Sequence, residues 1–360
     1  MPQALSDSPL VQKIPRGCLL LKKSEVFWRD HQEWLEEKGY VLRPRYQPEW
    51  VPSWDVNDNT IRTLDIEDAI PSPHALVLDA TRIRDNTMVL MKRVRNPIEK
   101  EIGLYLATEP LASHPHNHSV PIYEVLEVPD VENTVIIVMP LLRPFYDPRF
   151  KSGLQFMHER NIAHRDCTYM NIMMDPRPTF PEMFHPGDMS KSRDFKSSAK
   201  FYTRTSRPTK YIFIDFGLSI RYKPGQERKA LPLRGGDKTV PEFQGDGLFA
   251  PYDPFPVDVY YLGNLIREQF LRKRTGVEFM KPLVDDMVQD DPKKRPTIND
   301  VVLRFDKMIP TLSYWHLRSR LVEIEEREWF GLATCRAIAH IYRTVIHIFT
   351  LRDPIPRPPQ

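Results

Sequence analysis

The sequence lacks what an exported or membrane-spanning protein would show. Its three cysteines, Cys18, Cys167 and Cys335, are odd in number and far apart. That spacing builds neither a disulfide framework nor a zinc site, and it fits a reducing compartment. No window approaches a run of uncharged apolar residues long enough to span a bilayer. The best, Ala333 to Leu351, is broken by Arg336, His340, Arg343 and His347. Pro2, Asp7, Pro9 and Pro15 precede an apolar run of only Cys18 to Leu21, so no secretory signal is expected. Charge of one sign is lacking too. Lys and Arg total 51 against 48 acids, and the net +3 is too weak a field to argue for nucleic acid as a partner. A cytoplasmic or nuclear location is the expectation.

What is there is a folded chain. Apolar residues make up 41% of 360, enough for one large or two modest cores, and 35 prolines punctuate the sequence into readable pieces. Residues 1–22 read as a flexible lead. Residues 24–38 read as one helix, with Ser24 as N-cap and Gly39 as its stop. Ala75 to Leu78 and Thr87 to Met91 read as strands joined by a polar turn at Arg84 to Asn86. A helix follows over Pro97 to Leu111, then apolar strands at Val120 to Val128 and Thr134 to Met139. After His158 helical patterns dominate, at 257–271, 278–289, 297–308 and 315–349. The expected fold class is α+β and two-lobed, a small β-rich lobe before a larger, mostly helical one. The expected boundaries are an N-terminal extension with one helix at 1–69, the small lobe at 70–142, the large lobe at 143–310 with an insertion at 175–210, and a helical tail at 311–360.

Four chemical signals occur in one order. Val89 to Lys92 places a lysine at the end of an apolar strand, and Glu101 lies on the next helix within reach of an ion pair. His164, Arg165 and Asp166 are followed after four residues by Asn171. Tyr211 to Ile214 is a short β-type run that delivers Asp215, Phe216 and Gly217 at its end. Scaffold landmarks extend the set: Val240-Pro-Glu242, the stretch Asp258 to Gly263, and Asp290 to Pro296 with Arg295.

With these residues, the chain between about 70 and 310 resembles the eukaryotic protein kinase family, and its wording is similar to kinase-like proteins abundant in mushroom-forming fungi. The resemblance implies an ATP- and Mg²⁺-dependent transfer of phosphate to a Ser/Thr hydroxyl of a protein substrate. Asp166 would accept the hydroxyl proton. Asn171 and Asp215 would hold magnesium, a hard cation that prefers oxygen ligands. Lys92, steadied by Glu101, would contact the α- and β-phosphates, while Ala75, Val77, Leu90, Met139 and Leu141 would surround the nucleotide. Arg165 would sense a phosphate or acidic group on the activation segment, and His164 would be structural. Glu242 with Arg295, and Asp258, would be scaffold.

The chain departs from the family pattern in several places. Where a glycine-rich phosphate loop is expected, residues 70–77 read IPSPHALV, without a glycine and with prolines that remove N–H donors. Leu90 stands where alanine is common, and Thr168 where serine/threonine kinases carry a lysine. The run Arg234 to Glu242 does not fit the usual closing segment. Only 21 residues separate Leu142 from His164, so the large lobe reads as shortened, or the gene model as gapped, with an apolar flank left uncovered. Residues 191–210 hold seven basic groups and one acid, which raises docking of an acidic or phosphorylated partner beside a plain solvated loop. His114, His116 and His118 alternate, but a His-Pro turn explains them better than a metal does. The helix Trp329 to Phe349 is expected to pack on the catalytic domain or the N-terminal segment rather than on lipid. These departures keep a second function open, a pseudokinase scaffold, and a weaker third, a small-molecule phosphotransferase.

Overall fold

The computed structural model describes residues 21–54, 66–72, 74–144, 151–232, 236–324, 330–355 and 358. In chain order the elements are α1 (Lys23–Asp30), α2 (Gln32–Glu37), β1 (Tyr40–Val41), β2 (Val77–Arg82), β3 (Thr87–Val94), α3 (Pro97–Ala107), β4 (Glu124–Glu127) and β5 (Val135–Pro140). They continue with β6 (Arg143–Pro144), α4 (Lys151–His158), β7 (Ile162–Ala163), β8 (Ile172–Met174), β9 (Tyr211–Phe213), β10 (Ile220–Arg221), α5 (Pro254–Ile266) and β11 (Arg274–Thr275). The last are α6 (Lys281–Met287), α7 (Ile298–Met308), α8 (Tyr314–Leu317), β12 (Val322–Glu323) and α9 (Phe330–Phe349). The chain is thus α+β, and it divides into two compact units. The first comprises Met1–Arg93, Leu126–Leu141 and Phe184–Ala199, and the second the remainder.

The first unit is built on a five-stranded sheet of order β1-β2-β3-β5-β4. Period-2 alternation sends Leu78, Ala80, Val89 and Met91 into the core, where they meet Ile136 and Val138 of β5. The hairpin turn is held by Arg82 on Asp85 at 2.7 Å and by Asn86 at φ +56°. The N-terminal segment is not an appendage. Trp28, Leu35, Tyr40, Leu42 and Tyr46 belong to the same core, and β1 pairs antiparallel with β2. The expected single helix is two. The His31 imidazole lies 2.7 Å from the Phe27 carbonyl that a continuing helix would give to a backbone N–H. Lys22, not Ser24, takes the N-cap, while Gly39 ends the second helix at φ +89° as read. The lead at 1–20 lies outside the described residues.

The insertion is split between the units. Within the first, His185 contacts Glu67 at 3.0 Å, and Arg193 donates to Thr81 Oγ1 and to Asn86.

The second unit is organised by α5, which starts on an Asp253 cap with Pro254 at its first position and is buried almost all round. Gly263 lets it approach α6: a Cβ there would lie 2.7 Å from Met287 Cβ. α7 begins with a Thr297/Asp300 capping box, and Arg304 on α7 pairs with Asp286 on α6 at 2.6 Å. α4 packs on α7 and buries Leu154, Phe156 and Met157, so among the described residues the shortened stretch leaves no large apolar side chain of α4 uncovered. A small sheet of order β6-β8-β9 and the pair β7-β10 flank the loop 164–171. The tail departs from expectation. α9 turns His340, Thr344, His347 and Ile348 partly inward and leaves Ile338, Ile341, Tyr342, Val345 and Phe349 exposed.

Candidate functional site

The loop 164–171 leaves β7 over a buried anchor. Asp258, fully buried on α5, accepts the N–H of His164 at 2.7 Å and of Arg165 at 2.6 Å, and lies 3.0 Å from His158 Nε2. These contacts hold Arg165 at φ +68°, a strained backbone for a non-glycine residue. His164 is structural, as its sequence context implied. Burial pushes its pKa down, and a neutral ring with Nε2–H donating to Ile214 O (3.1 Å) leaves Nδ1 to accept the Asp166 N–H (3.3 Å).

Asn171 Nδ2 donates to the Asp166 carbonyl at 3.0 Å and to its Oδ2 at 2.7 Å. The other carboxylate oxygen, Oδ1, is buried and has no hydrogen-bond partner among the described residues. Burial raises the Asp166 pKa to about 6; the Asn171 hydrogen bond opposes the shift, and the charges of Asp215 and Asp258 add to it. A carboxyl that exchanges a proton near neutrality is the state a general base needs.

Asp215 arrives by strand pairing. Ile172 sits opposite Phe213 in β8-β9, and Ile214 N–H donates to the Asn171 carbonyl at 2.9 Å, so the residue before Asp215 is tied to Asn171 through the backbone. Asp215 takes φ +65° and accepts the Gly217 N–H at 3.2 Å, and Asn96 Nδ2 holds the Gly217 carbonyl at 2.8 Å. Across this turn stands Glu99. A Cβ on Gly217 would fall 3.3 Å from Glu99 Oε2. Gly236, at φ +68°, passes over Asp166, and a Cβ there would lie 2.9 Å from Asp166 Oδ1 and 3.4 Å from Tyr261 Oη.

Three of the expected features sit in surroundings the sequence did not announce. Glu101 is exposed on α3; the buried acid of that helix is Glu99. Glu99 shares the buried side with Ile102, Gly103 and Leu106, a spacing of three, four and seven that the sequence already displayed. Among the described residues Arg165 pairs with no acid. Its guanidinium donates to Tyr252 Oη at 3.0 Å and to the carbonyls of Leu218 (3.2 Å) and Leu231 (2.6 Å). The basic run 191–210 is largely engaged within the chain: Lys191 lies over Phe195, Arg207 over Tyr202, Lys200 pairs with Glu182 and Arg193 is held as above. Residues 233–235 of the closing segment lie outside the described residues. Glu242 pairs bidentately with Arg295 at 2.7 Å on both branches.

In the first unit, Lys92 is half-buried on β3, opposite Val77 of β2, and Leu90 is opposite Asp79. Strand periodicity places Val77, Leu90 and Lys92 on one face of the hairpin. The same face carries Asp79 and Thr81, which are engaged by Arg43 (3.0 Å to Asp79) and Arg193. Ala75 is exposed, and Met139 and Leu141 are buried. The glycine-free loop is tied inward. Ser72 N–H points at Tyr46 Oη (3.0 Å) and Glu25 Oε1 (3.3 Å), and its hydroxyl donates to Val77 O at 2.7 Å. Its N–H is therefore committed to groups of this chain.

Among the described residues no group of three or more His, Cys, Asp or Glu could hold a metal. His118 Nδ1 lies 2.8 Å from the Tyr211 carbonyl, a scaffold contact. Likewise no described helix is long and apolar enough to cross a membrane. No protein-family model matches the chain, and no curated protein matches it.

Proposed function

We propose that the chain transfers the γ-phosphate of ATP to a Ser/Thr hydroxyl of a protein, with Asp166 as the proton acceptor. The observation that carries this reading is the buried Oδ1 of Asp166, unpartnered among the described residues, on a carboxylate held by Asn171, with Asp215 just beyond β9. A group taken out of water without a partner costs stability, and such costs are retained where chemistry uses them.

A magnesium ion that also binds phosphate oxygens needs few protein ligands. The donor chemistry here fits it. Asn171 spends its amide N–H on Asp166 and keeps its amide oxygen, and Asp215 brings a carboxylate whose Oδ1 accepts the Gly217 N–H. Asn171 and Asp215 would hold the ion, which supplies charge neutralisation of the phosphates when bound. This chain's own part is to fix Asp166 through Asn171 and Asp258, and to keep its carboxyl ionised above about pH 6. Lys92 is the residue that the resemblance assigns to the phosphates.

A second reading is favoured by a different observation. Ser72 N–H and the face bearing Lys92 are used by Glu25, Tyr46, Arg43 and Arg193, which is what a scaffold without nucleotide would show. One experiment separates the two. Radiolabelled γ-phosphate transfer to a peptide library is measured for the wild type and Asp166→Asn, with ATP–Mg²⁺ binding followed by thermal shift. Loss of transfer by about 10²–10⁴-fold with nucleotide binding kept supports the base assignment. No wild-type transfer to any peptide supports the scaffold.

A further inference from the structure

The face of the β2-β3 hairpin that carries Lys92 is engaged by two arginines in two different ways. Directly opposed partners share a face of a sheet, so Val77, Asp79 and Thr81 stand together with Lys92, Leu90 and Met88. Asp79, a buried acid, receives Arg43, whose side chain is only 9% exposed and whose guanidinium also donates to the Ile70 carbonyl at 3.0 Å. A buried ion pair of this kind is a permanent joint, because opening it would leave two charges out of water. Thr81 receives Arg193 instead. Arg193 donates to Thr81 Oγ1 at 3.1 Å, to the Asn86 carbonyl at 2.8 Å and to Asn86 Oδ1 at 2.8 Å. All three acceptors are neutral and Asn86 is exposed, so water can replace each bond at little net cost.

Arg193 comes from a loop that is closed on itself. His185 N–H donates to the Lys191 carbonyl, Ala199 N–H to the Ser190 carbonyl and Ser192 N–H to the Ser197 carbonyl, at 2.9, 2.8 and 2.7 Å. The root of the loop is seated in the first unit: Phe184 is fully buried, His185 meets Glu67, and a Cβ on Gly187 would fall 2.8 Å from Ile70 Cγ2. Beyond His185 the burial stops, and no residue from Pro186 to Ala199 is buried. The outer part is thus a preformed piece that can lift from the hairpin without unmaking itself.

We propose that residues 188–199 are an autoinhibitory strap. With Arg193 on Thr81 and Asn86 the strap lies on the turn-side half of the Lys92 face, and with Arg193 released that face is open to the nucleotide. This rests on the phosphotransferase reading, which is what brings a nucleotide there. The engagement of Thr81 is then one state of the chain rather than the loss of a site. A nucleotide that binds only the open form has its apparent affinity lowered by the fraction of chains that are open, about tenfold where the closed form outweighs the open one by ten.

The test follows hydroxyl-radical oxidation of Met88 and Met91 by mass spectrometry, beside titration of the full chain with a fluorescent ATP analogue and Mg²⁺. Met88 is buried opposite Thr81 on the strapped face, while Met91 belongs to the core on the other face and controls for unfolding. In Arg193→Ala, Met88 is expected to oxidise about fivefold faster with Met91 unchanged, and the nucleotide to bind about five- to tenfold more tightly than in the wild type. Asn86→Gly keeps the positive φ of the turn and removes one acceptor, and it moves both readouts the same way by about two- to threefold. Where Arg193→Ala exposes Met91 as well, Asn86→Gly decides. Nucleotide bound by the wild type but no more tightly by the variants overturns the strap and leaves the phosphotransferase reading standing, as does an unchanged Met88. Faster oxidation of Met88 with no nucleotide bound by any of the chains overturns that reading, and the inhibition with it.

Discussion

Glu25 in the first unit is met by Arg45, Tyr46 and the N–H groups of Lys22 and Ser72, whereas Asp166 in the second keeps one buried oxygen without a partner among the described residues. Both carboxyls are taken out of water, and their proton affinities move in opposite directions. Burial disfavours the charge on Glu25, but Arg45, Lys22 and Tyr46 outweigh it and hold the carboxyl below its usual range. Burial on Asp166 is not outweighed, and its pKa rises to about 6. A carboxylate with every acceptor direction used is a structural joint; one with a direction left over is available to something arriving from outside.

The contrast can be broken by substitution. Glu25→Ala strands Arg45, Tyr46 and the Ser72 N–H, and is expected to cost about 3–5 kcal/mol in urea unfolding at pH 7. Because the folded pKa of Glu25 is lowered, its contribution is present above the unfolded value and lost as pH falls through the folded one. The gap between wild type and Glu25→Gln therefore narrows on acidification. A cost below about 1 kcal/mol would show that Glu25 is not a joint.

Gly236→Ala tests the open oxygen directly. The added Cβ meets Asp166 Oδ1 at a backbone φ of +68°, so about 1–2 kcal/mol of stability is expected to go, with a larger loss of any phosphate transfer. Transfer kept at the wild-type level would mean that nothing approaches Asp166 from that side.

The smallest effect is the pH dependence that Asp166 itself imposes. Its raised pKa means a contribution fully present below about pH 4 and lost as pH rises through about 6. Partial exposure discounts the shift to about 1 kcal/mol. Asp166→Asn does not titrate, so its stability relative to wild type is expected to improve by that amount between pH 4 and pH 8. A difference that stays flat over this range would place the Asp166 pKa at its ordinary value.

Elements set by local rules were legible in advance. The β2-β3 hairpin followed from alternation and its polar turn, and α5 and α7 from helical periodicity, whereas their Asp253 and Thr297 caps come from the structure. The loop 164–171 and Asp215 stood out in the sequence as a motif, and the pairing of β8 with β9 links the two segments through their backbones. What depends on distant partners was not. Nothing in residues 24–46 announces that Glu25 and Arg45 will reach Asp68 and Ser72, which is why the segment read as an extension. That Glu99 rather than Glu101 is the buried acid of α3 depends on which side of the helix faces inward. The periodicity of α9 did not tell which of its sides would stay exposed among the described residues.

The discontinuity of the first unit has a consequence for how the chain is made. Its three segments are separated by stretches that belong to the second unit, so residues 94–125 and 142–183 have left the ribosome before the last piece, Phe184–Ala199, is available. The two units therefore mature in an interleaved order rather than one after the other. Arg193, the residue that ties the hairpin turn at Asn86 to the late segment, is among the last contacts the nascent protein can make there.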